Sequence, residues 1–131
     1  MTNRAMDWLR QAEADLEHAR LASRGGHFDW ACFAAQQAGE KAAKAVHLGL
    51  GQEAWGHSVT ELLEALRGQL STLEGALLDR ARALDKLYVP TRYPNGLPAG
   101  APADYFTSDE AEKAIGDAEE ILAFCRGVLP R

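Results

Sequence analysis

The sequence predicts an all-α protein, an antiparallel up-and-down bundle of four to five helices with a Pro-rich loop before the last helix. Three observations support this fold class. Alanine and leucine abound while β-branched residues are few, apolar residues recur at spacings of three and four, and no long run alternates with the period of a strand. Because 131 residues is an ordinary length for one domain, we expect residues 1–131 to fold as a single helical domain.

The first two predicted helices are separated by a pair of glycines. The first helix covers about residues 3–24 and ends at Gly25 and Gly26, which suit a left-handed C-terminal cap. The second helix covers about residues 29–50. Its apolar residues spread over more than half of its circumference, which is typical of a helix in the middle of a bundle.

Capping sequences predict where the remaining helices begin. Residues 58–61 and 71–74 both read Ser-x-x-Glu, a capping box, so a third helix is expected to open at residue 58 and a fourth at residue 71. The apolar stripe of the fourth helix continues to Tyr88. The last helix is expected to open at Thr107 or Ser108, because acidic residues follow where they complement the helix dipole.

A Pro-rich segment separates the fourth predicted helix from the last. Prolines at positions 90, 94, 98 and 102 remove four backbone donors, so this segment is predicted not to form a helix. Loops of this length are uncommon in small domains and are often functional. Two compatible interpretations follow, a stiff crossover between helices and a binding loop.

Charge, hydropathy and cysteine content limit the classes of function. The chain has 19 acidic and 14 basic residues and a net charge of −5, which argues against broad contact with duplex DNA. It contains no apolar run long enough for a membrane span and no apolar core of a secretory signal at its start. Cys32 and Cys125 lie far apart and predict buried thiols in a reduced cytoplasmic protein rather than a disulfide.

Tyr88, Arg92 and Tyr93 form the clearest candidate site. An arginine between two tyrosines, where a helix gives way to a proline-fixed loop, presents its guanidinium with little conformational freedom. Such a group binds phosphate or carboxylate through paired hydrogen bonds, and neighbouring rings can stack on a base or on the guanidinium. The alternative is an arginine paired with a helix carboxylate, with the tyrosines filling the end of the bundle.

Gln37 and Lys41 are a second pair of candidates. Both project from the same apolar face of the second helix as Trp30 and Phe33. A buried amide or ammonium needs a partner, so these side chains are expected to meet polar groups of another helix, or to line a pocket or a subunit interface. The remaining interpretation is that the lysine extends from the edge of the stripe into solvent.

Neither a metal centre nor a catalytic nucleophile is indicated. No two histidines share the spacing of metal ligands, and no serine or cysteine lies in a recognised nucleophile motif. We therefore expect no metal, no cofactor and no catalytic residue. The histidines are His18, His27, His47 and His57, the last of which is interpreted as a helix-entry residue.

Four stretches of the chain resemble the HEPN family of small helical proteins. They are WLRQAEADL at residues 8–16, DWACFAAQQAGEKAAK at 29–44, HSVTELL at 57–63 and LDKLYVPTRYP at 84–94. The resemblance implies an up-and-down helical bundle, frequently a homodimer, and a separate nucleotidyltransferase-like partner. In many such pairs the two proteins act as a toxin–antitoxin system, and the wider family is associated with nucleotide or RNA binding.

The resemblance departs from the ribonuclease branches of that family. Their signature is an arginine and a histidine with four to six residues between them, and no histidine follows Arg92. Arg20 and His27 have the formal spacing but lie at the first helix junction. The resemblance therefore implies a non-enzymatic binding module whose matching positions are Tyr88, Arg92 and Tyr93. Two alternatives stay open, a metal-independent ribonuclease toxin and a purely structural dimerisation partner.

Overall fold

A computed structural model of the chain describes residues 3–129, which form six α-helices and no strand. The all-α fold class is therefore confirmed. No helix of this part of the chain has the length and hydropathy needed to cross a membrane. The helices are α1 (Ala5–Arg24), α2 (Phe28–Gly49), α3 (Val59–Glu64), α4 (Gly75–Asp85), α5 (Pro102–Tyr105) and α6 (Ser108–Val128).

Helix α2 is the central helix, as its broad apolar surface predicts. It packs against α1 and α6 along its length and also contacts α3, α4 and α5. Half of its buried residues are alanine, which allows neighbouring helices to approach closely. The chain reverses between α1 and α2 at Gly26, whose φ of +81° favours glycine.

Helices α2 and α4 approach each other closely at Gly39. A Cβ atom at this position would lie 2.9 Å from Leu84 Cδ1 on α4 and 3.7 Å from both methyl groups of Val59 on α3. No side chain fits there without displacing a neighbour. The spacing of these helices therefore depends on a glycine in the buried face of α2.

The predicted caps at residues 58 and 107 are confirmed. Ser58 Oγ accepts a hydrogen bond from the Glu61 backbone, as a capping serine does. The Asp85 carboxylate accepts three more hydrogen bonds from the same helix start, from Ser58 Oγ and from the backbone nitrogens of Val59 and Thr60. Asp85 is the last residue of α4, so the end of α4 is tied to the start of α3.

The predicted cap at residue 71 is wrong. Helix α4 begins at Gly75 with Glu74 as its N-cap residue, and Ser71 is exposed in a turn. The preceding turns bring Leu66 and Leu73 into the core, which an earlier start of α4 would not do. Helix α4 also ends at Asp85, so Tyr88 lies beyond the helix, in a turn, rather than in its apolar stripe.

The Pro-rich segment contains two short helical turns, so the prediction that it forms no helix is wrong. Residues Pro94–Gly96 form a 3₁₀ turn, and α5 is a single α-helical turn. Pro102 occupies the first turn of α5, where its missing N–H has no helical partner to lose. Phe106 packs against the core, which holds the segment on the bundle as expected for a stiff crossover.

Both cysteines are buried and free, in agreement with the sequence. Burial raises the pKa of the Cys32 thiol to about 12, with smaller contributions from Glu110 and Asp29. Burial also raises the pKa of the Cys125 thiol to about 12. A thiolate is the reactive form of cysteine, so both residues are structural members of the core.

Candidate functional site

The guanidinium of Arg92 lies among three aromatic rings. Its Cζ atom is 4.3 Å from the ring centroid of Phe33 on α2, 4.7 Å from that of Tyr88 and 5.1 Å from that of Tyr93. All three distances fall within the range of cation–π attraction. We call these four residues the Arg92 cage. It joins α2 to the turns that follow α4.

Backbone hydrogen bonds fix one edge of the same guanidinium. Arg92 Nε and Nη2 donate to the carbonyl oxygen of Tyr88 at 2.9 and 2.6 Å. The buried hydroxyl of Thr91 donates to Leu87 O at 2.7 Å and anchors the turn. Arg92 is therefore held in place by its own loop, as expected for an arginine on a proline-fixed turn.

The opposite edge of Arg92 is free. Nη1 forms no hydrogen bond with residues 3–129, and it is not fully buried. No carboxylate of these residues lies at ion-pair distance from Arg92, and the pairing with a helix acid that the sequence left open is not observed. A planar group with two free donor directions on one edge matches two oxygens of a phosphate or carboxylate.

His57 is a member of this region that the sequence analysis did not identify. Its ring stacks on Tyr88 with a centroid distance of 4.6 Å and an interplanar angle of 18°. Its Nδ1 atom lies 3.3 Å from the carboxylate of Glu40 on α2. His57 does precede the capping serine of α3, but 31 positions separate it from Tyr88, so only the fold brings the two rings together. The sequence gives one signal of a role for His57, which is that it lies in a stretch that resembles the HEPN family.

Glu40 is buried and neutralised by its neighbours. Lys44 Nζ lies 3.0 Å from Glu40 Oε2, and Gln36 Nε2 lies 3.4 Å from Glu40 Oε1. Gln36 also donates to the His57 carbonyl at 3.1 Å. These contacts position the His57 backbone as well as its ring. Residues 3–129 hold no cluster of three or more His, Cys, Asp or Glu side chains suited to a metal ion.

Gln37 and Lys41 line a cleft next to the Arg92 cage. The cleft has a volume of about 230 Å³, lies between α1 and α2, and includes Phe33, which also belongs to the cage. Lys41 Nζ lies 2.6 Å from Asp15 Oδ2 on α1, and Gln37 Nε2 donates to Gln36 Oε1 at 2.8 Å. Lys41 thus meets a carboxylate of another helix, as expected, whereas Gln37 finds its partner on its own helix. Both side chains line a pocket.

The candidate residues therefore fall into one direct cluster and one neighbouring pair. Arg92 contacts both Tyr88 and Tyr93, whereas Gln37 and Lys41 lie in the neighbouring cleft, which shares Phe33 with the cage. The arginine with ribonuclease-like spacing, Arg20, is engaged elsewhere, because its guanidinium binds Glu119 at 2.7 Å and Glu17 at 3.3 Å.

Comparison with known proteins gives a consistent family assignment. The HEPN domain profile matches residues 5–128. The structure is similar to that of TT1696 from Thermus thermophilus, with a TM-score of 0.93 and 48% sequence identity over 96% of this chain and 98% of that one. It is also similar to ST0689, an archaeal HEPN homologue, with a TM-score of 0.82 and 40% identity over 98% of this chain and all of that one.

Two further relatives extend the comparison. A HEPN domain protein of Thermotoga maritima, tm0613, matches with a TM-score of 0.76 and 38% identity over 95% of this chain and 98% of that one. A protein of Methanocaldococcus jannaschii named "Putative toxin MJ1304" is 25% identical over 130 residues, which cover 93% of this chain and 86% of the relative. The chain belongs to the HEPN domain family.

Proposed function

We propose that this protein is the HEPN component of a toxin–antitoxin-like pair and that Arg92 binds the phosphate of a nucleotide or of RNA. The observation that carries the binding proposal is the Arg92 cage, a fixed guanidinium with a free edge and no carboxylate partner among residues 3–129. The name of the relative from Methanocaldococcus jannaschii supports the toxin–antitoxin context.

The cage supplies the contacts that a nucleotide requires. The free edge of Arg92 offers charge-assisted hydrogen bonds to two phosphate oxygens, which are among the strong hydrogen bonds in proteins. Tyr93 is 49% exposed, so one face of its ring is open to stack on a base. The Arg92 cage thus places a fixed positive charge beside an exposed aromatic ring on a chain whose net charge is −5.

The partners that we propose are a second copy of this chain and a nucleotidyltransferase-like protein. Both come from the family resemblance. Analytical ultracentrifugation of the protein alone and mixed with such a partner tests both. A monomer at every concentration, with no shift on mixing, would contradict this part of the proposal.

Calorimetric titration tests the binding site. ATP, GTP and a short RNA are titrated into the parent protein and into Arg92→Ala, and we expect binding of at least one ligand that the substitution abolishes. Arg67→Ala is the matched control, because Arg67 is exposed and lies outside the Arg92 cage. If Arg92→Ala binds as tightly as the parent, the assignment fails, and absence of any binding favours a purely structural partner.

A second candidate function, RNA cleavage without a metal, is favoured by the contact between His57 and Glu40. The Glu40 carboxylate at Nδ1 favours the tautomer that leaves His57 Nε2 free to accept a proton. His57 and Arg92 both lie against Tyr88, so an imidazole stands beside the proposed phosphate site. In this reaction Nε2 takes the proton of a ribose 2′-hydroxyl and that oxygen bonds to phosphorus. The bond from phosphorus to the 5′ oxygen breaks, and the 5′ oxygen takes a proton from water.

Labelled RNA incubated with the protein in a chelator tests this second function. Cleavage that is lost in both His57→Gln and Arg92→Ala supports it. His27→Gln is the matched control, since His27 is exposed at the start of α2 and makes no contact with the Arg92 cage. RNA that stays intact at micromolar protein concentration rules this function out.

A further inference from the structure

A second cleft on the α1–α2 surface continues the one that adjoins the Arg92 cage. This cleft has a volume of about 540 Å³, is lined by Arg4, Asp7, Trp8, Arg10 and Gln11 of α1, and meets the smaller cleft at Lys41. The two clefts share Lys41 and together extend from Phe33, a ring of the Arg92 cage, to Arg4, and we call the pair the α1–α2 groove. Helix rise is about 1.5 Å per residue, so the groove residues of α1, from Arg4 to His18, span about 20 Å.

Cations and aromatic rings alternate along this groove. Trp30 is 52% exposed at the end near the cage, Lys41 lies at the middle, and Trp8 and Arg10 line the far end. With Arg92 included, the lining has four basic and two acidic side chains, whereas the whole chain has a net charge of −5. Interleaved cations and rings are the pattern by which proteins bind single-stranded nucleic acid.

Asp7 arranges the arginines at the far end. Its carboxylate accepts hydrogen bonds from Arg4 Nε and from Arg10 Nη2, and these bonds hold its pKa below the usual value. Each arginine uses one nitrogen on Asp7 and keeps its others for a ligand. Both guanidiniums are thereby held at the rim of the cleft beside Trp8.

An ion pair closes the middle of the groove. Lys41 Nζ binds Asp15 Oδ2 at 2.6 Å, and Gln11 donates to the other oxygen of Asp15 at 2.9 Å. The carboxylate thus masks the cation that lies between the two clefts. A phosphate at this position would have to compete with Asp15 for Lys41.

We propose that the α1–α2 groove binds the nucleotides that follow the one held at Arg92, so that the ligand is a single-stranded oligonucleotide rather than a mononucleotide. The inference rests on the proposed function of Arg92. Bases stack on Trp30 and Trp8, one phosphate contacts Lys41, and another contacts Arg10. The length of the groove exceeds that of one nucleoside monophosphate.

Binding of 5′-phosphorylated uridine oligomers of increasing length tests this inference. We measure the affinity of the parent for one, two, four and eight nucleotides by competition in fluorescence anisotropy. Each stacked base adds to the free energy of binding. Affinity is therefore expected to rise about tenfold or more from one nucleotide to four, and then to level off. Affinity that does not change with length overturns the inference and leaves the proposed function of Arg92 intact.

Charge variants locate the effect in the groove. Arg10→Gln is expected to weaken only the longer oligomers and to reduce the slope of log affinity against log salt by about 0.7, the value for one phosphate contact on a single strand. Arg67→Gln removes an exposed arginine outside the groove and is expected to change neither the affinity nor the salt slope.

Asp15→Asn removes the carboxylate that pairs with Lys41 and is expected to tighten oligomer binding about threefold to tenfold. Weaker or unchanged oligomer binding by Asp15→Asn counts against the groove.

Tryptophan fluorescence gives an independent readout of the far end. In the double variant Trp30→Phe with Trp55→Phe, the remaining emission comes from Trp8, and phenylalanine keeps a ring at position 30 on which a base can stack. The four-nucleotide oligomer is expected to quench this emission, whereas uridine monophosphate is not. If oligomers bind with length dependence but Arg92→Ala has no effect, the proposed function of Arg92 fails and with it the placement of the first nucleotide, whereas nucleic-acid binding in the groove stands. If neither mononucleotide nor oligomer binds, both fail.

Discussion

Arg80 and Arg92 lie twelve residues apart, on α4 and just beyond it, and their surroundings are opposite. Arg80 Nη1 lies 3.0 Å from the buried carboxylate of Asp117 on α6, which Lys113 also contacts at 2.9 Å. Arg92 has no carboxylate partner among the described residues and is held by three rings and a backbone carbonyl.

The difference separates a structural charge from a charge reserved for a ligand. A buried carboxylate such as Asp117 must be neutralised for the helices to pack, so Arg80 contributes to the stability of the α4–α6 contact. The rings and the Tyr88 carbonyl stabilise Arg92 without cancelling its charge. The two sites should therefore respond to substitution in opposite ways, one in the free energy of unfolding and the other in ligand affinity.

The largest effect is expected for Asp117→Ala. It leaves Arg80 and Lys113 without their carboxylate and empties a buried position, which should lower the free energy of unfolding by about 3 kcal/mol. Urea unfolding followed by circular dichroism measures the change. Nucleotide affinity should stay within about twofold of the parent, as expected for a site remote from the Arg92 cage. A large loss of affinity would show that the two regions are coupled.

The next effect is expected for Arg92→Ala. Loss of charge-assisted hydrogen bonds to a phosphate should weaken nucleotide binding about 100-fold, which corresponds to about 2.7 kcal/mol. The free energy of unfolding should fall by about 1–2 kcal/mol, less than for Asp117→Ala, because partly exposed cation–π contacts and hydrogen bonds to one carbonyl are lost but no buried carboxylate is removed. Calorimetry and urea unfolding of the same preparation test both halves. A stability loss without a loss of affinity would make Arg92 a structural residue like Arg80.

Arg92→Lys sharpens the comparison further. Lysine keeps the charge but lacks the planar fork and stacks poorly in a cage of rings, so an affinity loss of about tenfold is expected. The counterpart Arg80→Lys should lose little stability, since an ammonium can still pair with Asp117. Equal affinity of Arg92→Lys and the parent would mean that only charge matters at this site.

The smallest effect is expected for Arg20→Ala. Arg20 pairs with Glu17 and Glu119 at the surface, and the hydrogen bond to Glu119 is the main reason that its pKa is raised. Exposed ion pairs contribute little, so the free energy of unfolding should fall by less than about 1 kcal/mol. Affinity for nucleotide should not change. A measurable loss of affinity would revive the arginine with ribonuclease-like spacing as a functional residue.

Most of the fold could be predicted because its signals are local. The bounds of α1, α2 and α6 follow from apolar periodicity and from glycine or capping residues at their ends, and they differ from the prediction by no more than a few residues. The start of α4 was mispredicted at Ser71 because a capping box is a local preference. The burial of Leu66 and Leu73 by turns is a tertiary effect that overrides it.

The site was only partly predictable for the same reason. Tyr88, Arg92 and Tyr93 are neighbours in sequence, so their contact follows from a turn. Phe33 and His57 join them from α2 and from the entry of α3, and no spacing rule connects positions so far apart. The free edge of Arg92 also depends on the absence of a carboxylate nearby among the described residues, and a sequence pattern does not report such an absence.

The missing side chain at Gly39 has a consequence for ligand recognition. Phe33 lies on α2, whereas Tyr88 and Tyr93 belong to the chain that leaves α4. The arrangement of the three rings around Arg92 therefore depends on how closely these two helices pack. A methyl group at Gly39 would press on Leu84 and act as a spacer between them. Because Gly39 lies less than two turns of helix from Phe33, the close packing that it allows helps to place the Phe33 ring against Arg92.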